Sequence, residues 1–87
     1  MWKEVKEKDY KKAEIGDCVF HGFWGQRKQG EARIVCSSSE NGTRKFTWSL
    51  HTKIRNNEVK IENNHKNLYH AAKRGVVNAI NRFGLGG

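Results

Sequence analysis

The chain has 87 residues, no proline, two cysteines and a formal charge of +8, which bounds it to one small basic domain, residues 1–87, near the size where a single core is only marginally sufficient. No apolar run is long enough to span a membrane, the charged N-terminus has no signal-peptide pattern, and Cys18 and Cys36 match neither a disulfide framework nor a zinc signature, so a reduced, cytoplasmic protein is expected. The charge is uneven: residues 1–40 carry 8 basic and 7 acidic residues, residues 41–87 carry 9 and 2, so a polyanionic partner is sought in the second half.

Trp2 to Ala13, WKEVKEKDYKKA, places Glu4 before Lys8 and Glu7 before Lys11 at the helix-favouring i,i+4 spacing. A short N-terminal helix is the expectation, with a frayed charged tail as the alternative. Gly16-Asp17 is a turn, and Cys18 to Trp24 reads as the first strand, apolar on both faces, with Gly22 and Gly25 marking a bulge or bend. Residues 25–30 form a basic loop. Ala32 to Cys36 is the second strand, with Ala32, Ile34 and Cys36 inward.

The third strand is the most regular stretch. In Thr43 to Ile54, TRKFTWSLHTKI, Phe46, Trp48, Leu50 and Ile54 alternate with Lys45, Thr47, Ser49, His51 and Lys53, the two-residue period of a strand with one buried and one wet face. Asn41-Gly42 is a strong hairpin signal. A two-residue loop there sets the inward ladder opposite outward residues. A three-residue loop with left-handed Gly42 pairs Phe46 with Cys36, Trp48 with Ile34 and Leu50 with Ala32, and face matching favours it. The next hairpin, with an Asn56-Asn57 loop, pairs Ile54 with Val59 and Thr52 with Ile61. It also sets Lys53 against Lys60, a repulsion that an intervening anion relieves.

Asn63 or Asn64 then caps a helix to about Phe83, with Leu68, Ala72, Val76, Ala79, Ile80 and Phe83 as its apolar face. Gly75 lies near that face and implies a close approach to the sheet. Gly84 ends the helix. The expected fold is α+β: a four-stranded, mostly antiparallel sheet with the C-terminal helix packed on one face.

Four histidines and nine acids form no catalytic pattern. His65 and His70 are off the i,i+4 spacing of a helical metal pair. The cysteines fit core positions without a nucleophile's partners, and no phosphate-binding glycine motif occurs. A non-enzyme without metal or cofactor is expected. Two basic surfaces remain: the outer sheet face with Arg33, Lys45, Lys53 and Lys60, and the helix exterior with Lys66, Lys73, Arg74 and Arg82. On such surfaces Lys and Arg neutralise phosphates, while hydroxyls and histidines reach sugars or bases. Trp24, beside Arg27 and Lys28, is a candidate stacking platform for a base, although large aromatics more often belong to the core.

From Phe46 onward, FTWSLHT, then EVKIE, then NHKN followed by Ala71-Ala72 resembles the second half of a double-stranded RNA-binding domain. That family grips phosphates with basic residues at the helix start, which the resemblance places on His65 and Lys66, with Lys73 and Arg74 further on. In size, charge and lack of proline the chain is also similar to the small basic early proteins of T-even-like phages, among them RNA-binding inhibitors of the ToxN endoribonuclease of a type III toxin–antitoxin system. This implies binding of RNA and of a host defence ribonuclease in the host cytoplasm. The alternatives are a protein-binding inhibitor using a basic surface and a DNA-binding protein.

Overall fold

The structure is a computed structural model and describes residues 2–25 and 29–82. Five antiparallel strands form one sheet in chain order: β1 (Glu4–Glu7), β2 (Cys18–Trp24), β3 (Gly30–Glu40), β4 (Thr43–Ile54) and β5 (Asn57–Asn67). A 3-10 turn, Tyr10–Lys12, links β1 to β2, and helix α1 (Tyr69–Arg82) follows β5. The α+β class and the C-terminal helix agree with expectation; the strands are five rather than four, and the N-terminal helix is absent. At Glu4–Glu7 only Val5 is apolar, too little to bury a helical stripe. The segment instead satisfies its backbone groups on the open edge of β2, pairing Val5 with Gly22 and Glu7 with Phe20.

Strand β4 has the expected inner ladder. Phe46, Trp48 and Leu50 are buried and pair with Cys36, Ile34 and Ala32. The β3–β4 hairpin has the expected pairing but not the expected three-residue loop. Asn41-Gly42 is a two-residue turn with both residues at positive φ, closed by Glu40 opposite Thr43. A β-bulge between Cys36 and Ser38 then shifts the register by one residue, so the faces match without a longer loop. A second bulge, between Cys18 and Phe20, allows consecutive residues Val19 and Phe20 both to be buried.

The β4–β5 hairpin departs from expectation. The turn is Arg55-Asn56, both at positive φ, and Ile54 pairs with Asn57. Leu50 therefore faces Ile61, and Thr52 faces Val59. The slip is two residues, which preserves the faces and so escapes the face-matching criterion. It sets Lys53 opposite Glu58 and Lys60 opposite His51. The expected Lys53–Lys60 opposition does not exist, because the observed register exchanges that repulsion for an attractive pair.

Strand β5 continues through Asn67, where a helix was expected from Asn63 or Asn64. The segment is polar and lacks a helical stripe, while β4 still offers backbone partners: Asn63 pairs with Trp48 and, after an irregularity, Asn67 pairs with Phe46. The Asn63 carboxamide oxygen accepts from the His65 N–H at 2.9 Å, a local Asx turn rather than a helix cap. Helix α1 buries Tyr69, Ala72, Val76 and Ile80 at three- and four-residue intervals. Leu68, expected on this face, precedes the helix and is 56% exposed. Phe83 and Gly84 lie outside the described residues.

The helix covers mainly β4. Trp48 is only 8% exposed, and a Cβ on Gly75 would come within 2.6 Å of its Nε1. The close approach implied by Gly75 is therefore present. Towards the far edge Trp2 takes over as cover, meeting Phe20 and Trp24 edge-on at 5.2 and 5.7 Å.

Candidate nucleic-acid interface

The outer sheet face brings Arg33, Lys53 and Lys60 together with carboxylates rather than concentrating cations. Its side chains run in cross-strand rows. One row reads Lys6, His21, Arg33, Ser49, Glu62; the next reads Glu4, Phe23, Glu31, His51, Lys60. His21 Nε2 lies 2.7 Å from Glu31 Oε2, and Arg33 Nη2 lies 3.6 Å from the same oxygen. Lys60 is 3.0 Å from Glu62. The hydrogen bond to His21, aided by the charge of Arg33 against the opposing effect of burial, holds the Glu31 carboxyl below its ordinary pKa. Glu31 and Glu62 thus offset the charge of Arg33 and Lys60, and Glu58 lies opposite Lys53 in the register. Lys45 stands apart on this face, opposite Ser38.

Trp24 is not available as a stacking platform. It is 3% exposed, with its indole packed so closely on Gly30 that a Cβ there would meet the ring. Arg27 and Lys28 lie outside the described residues. Lys73 is already engaged at the surface: its ammonium sits 3.6 Å from Glu7 and 5.2 Å from the centre of the Phe20 ring. His65 and Lys66 are exposed, but on β5 rather than at a helix start, so the carry-over from double-stranded RNA-binding domains does not hold geometrically for them.

Helix α1 is different. Its exposed residues are His70, Arg74, Asn78, Asn81 and Arg82, all with hydrogen-bond donors and none with a carboxylate. A 14-residue helix is about 21 Å long. The apolar face that docks it on β4 fixes the opposite face outward, so these side chains form one strip. Nothing in the first turn is acidic.

At the start of that strip lies a cleft of about 360 Å³ that the sequence did not indicate. It is lined by Tyr10, Lys11, Thr43, Arg44, Phe46, Leu68, Tyr69 and His70. Tyr10 stacks on Tyr69 at 4.2 Å with the rings 2° from parallel. Phe46 meets both edge-on, and the Tyr10 hydroxyl is 3.3 Å from His70 Nε2. Arg44 Nε donates to the Ala13 carbonyl at 2.6 Å, tying the 3-10 segment to β4. Burial, with a smaller effect from the charge of Glu7, raises the Tyr69 pKa and keeps its phenol protonated at neutral pH. These groups come from three distant parts of the chain, so no local pattern could reveal them.

Searches against protein-family models, curated proteins and solved structures find no match to this chain. No helix among the described residues is long and apolar enough to cross a membrane.

Proposed function

We propose that the protein is a non-enzymatic RNA-binding domain whose principal contact surface is the exposed face of α1. The observation that carries this reading is the composition of that face: two arginines, two asparagines and a histidine without any carboxylate. Arg74 and Arg82 neutralise phosphates, and the amides and His70 are suited to sugars and base edges. Lys66, exposed at the end of β5, extends the basic character toward the chain leading into the helix. The choice of RNA over DNA rests on the resemblances described above.

The phage-protein resemblance adds a second component, a host defence ribonuclease bound together with RNA. With RNA on α1, the charge-striped sheet face is left for such a protein partner.

A filter-binding titration with single-stranded RNA over a salt series tests the reading. Binding through phosphates weakens linearly on a log–log plot, with a slope of about −0.7 per phosphate neutralised. Arg74→Gln and Arg82→Gln are expected to weaken binding and flatten that slope while leaving the fold intact. Absence of RNA binding at low salt would overturn the reading in favour of a protein-binding basic surface.

A further inference from the structure

The cleft beside the N-terminal end of α1 has the features of a small-molecule site: an aromatic wall and a few polar groups around its mouth. Its volume of about 360 Å³ is at the small end of the range for such sites, roughly 300–1,000 Å³, and suits one flat heterocycle rather than a duplex. The wall is the half-buried Tyr10 ring, backed by Tyr69, on which it stacks, and by Phe46, both buried. The mouth carries Lys11, Arg44 and His70, with the Thr43 hydroxyl. Among the described residues no carboxylate lines it. Leu68, at 56% exposure, presents an isobutyl group to the same cleft.

We infer that this cleft receives a single unstacked nucleotide of the bound RNA, its base against the Tyr10 ring that Tyr69 backs and its phosphate toward Lys11 and Arg44. The inference rests on the RNA-binding reading and specifies the form of RNA, a single strand or strand end whose base is free to leave its neighbours. The physical match is twofold. Base–aromatic stacking tolerates any base, because each has a π-face, and the basic rim complements the phosphate that every nucleotide carries. His70 belongs both to the cleft and to the exposed strip of α1, so a strand tracking along the helix reaches the cleft without a break.

The test uses the intact protein and simple probes. Adenosine 5′-monophosphate, uridine 5′-monophosphate, ribose 5-phosphate and inorganic phosphate are titrated separately while backbone amide NMR shifts are followed. The two nucleotides are expected to move the signals of Lys11, Thr43, Arg44 and His70, with affinity at least about tenfold above that of ribose 5-phosphate, the lower range of one base–aromatic stack. Equal affinity for all four probes, or shifts confined to other surfaces, would overturn the inference.

Two variants support the assignment. Tyr10→Leu retains apolar cover over Tyr69 but removes the ring. Leu68→Glu replaces an exposed side chain at little risk to folding and sets a carboxylate against the phosphate. Each is expected to lower nucleotide affinity about tenfold or more, and retention of full affinity in Leu68→Glu would place the nucleotide elsewhere.

The two readings fail separately. Oligonucleotide binding that depends on Arg74 but is blind to Tyr10→Leu and Leu68→Glu, with no mononucleotide in the cleft, overturns the cleft site and leaves the α1 interface standing. Mononucleotide binding in the cleft without oligonucleotide binding upholds the nucleotide site, and the RNA reading then falls.

Discussion

The outer face of the sheet and the exposed face of α1 both look basic in the sequence, and they differ in where their counter-charges come from. On the sheet face Lys53 meets Glu58 across β4 and β5 and His21 meets Glu31 across β2 and β3, while Arg33 and Lys60 have Glu31 and Glu62 two residues along their own strands. The helix face is assembled from one segment that contains no acid, and its one described contact across a seam, His70 with the Tyr10 hydroxyl, brings no carboxylate. Charge on a strand is therefore a poor guide to a binding surface until its neighbours are known. On a solvent-facing helix, local composition is a much better one.

The difference between the faces presupposes a single body in which α1 is held firmly on β4, and breaking that seam gives the largest expected effect. Trp48→Ala removes a ring packed under Gly75 and is expected to cost about 3–5 kcal/mol, read by urea denaturation. Gly75→Ala attacks the same seam from the helix. The added methyl meets the Trp48 indole, at an overpacking cost of about 1–3 kcal/mol, against about 1 kcal/mol regained in helix propensity. The net cost is therefore about 0–2 kcal/mol, and a stabilisation of about 1 kcal/mol, the propensity gain without any overpacking, would mean that the helix stands further from the sheet.

The direct comparison is between cations of the two faces. Arg74→Gln should reduce the magnitude of the RNA salt slope by about 0.7, the share of one phosphate that is no longer neutralised, with stability unchanged within about 0.5 kcal/mol. Lys53→Gln should do the reverse. It removes the cross-strand attraction to Glu58, worth at most about 1 kcal/mol at this exposed position, and leaves RNA affinity and slope as they were. If Lys53→Gln weakens RNA binding as much as Arg74→Gln, the sheet face belongs to the interface and the proposed difference between the faces collapses.

The smallest expected effect concerns pH. Glu31 has a folded-state pKa below its ordinary value of 4.5, chiefly through its hydrogen bond with His21. Its contribution to stability is therefore present above that value and is lost as the pH falls through the folded-state pKa. Stability measured between about pH 5 and pH 3 should fall less steeply in Glu31→Gln than in the parent. Identical slopes would remove Glu31 from the set of interacting charges on the sheet face.

The sequence carried the parts of this architecture that depend on local chemistry or on alternation. The two-residue period of Thr43 to Ile54 was sufficient to pick out the buried faces of Phe46, Trp48 and Leu50. Matching that ladder to Ala32, Ile34 and Cys36 produced the observed β3–β4 pairing, because a one-residue slip would have turned every apolar side chain outward. Gly75 signalled a tight seam because only a residue without a Cβ allows that approach. The helix exterior was also legible, since Arg74, Asn78 and Arg82 follow from the helical period alone.

Only the tertiary structure decided the rest. A two-residue slip keeps both faces, so the Arg55-Asn56 turn and the Lys53–Glu58 pairing had no signature in alternation. They go with a tight turn in which Arg55 and Asn56 both take positive φ. Trp2 to Ala13 has helix-like charge spacing, but the open edge of β2 drew Glu4–Glu7 into a strand by offering backbone partners. The aromatic cleft joins Tyr10, Phe46 and Tyr69 through the meeting of the 3-10 turn, β4 and α1. Periodicity fixes which way a side chain points within one element. Which side chains meet across elements is set by packing and backbone pairing summed over the whole fold, and the cleft and the meeting of Lys53 with Glu58 both arise at that level.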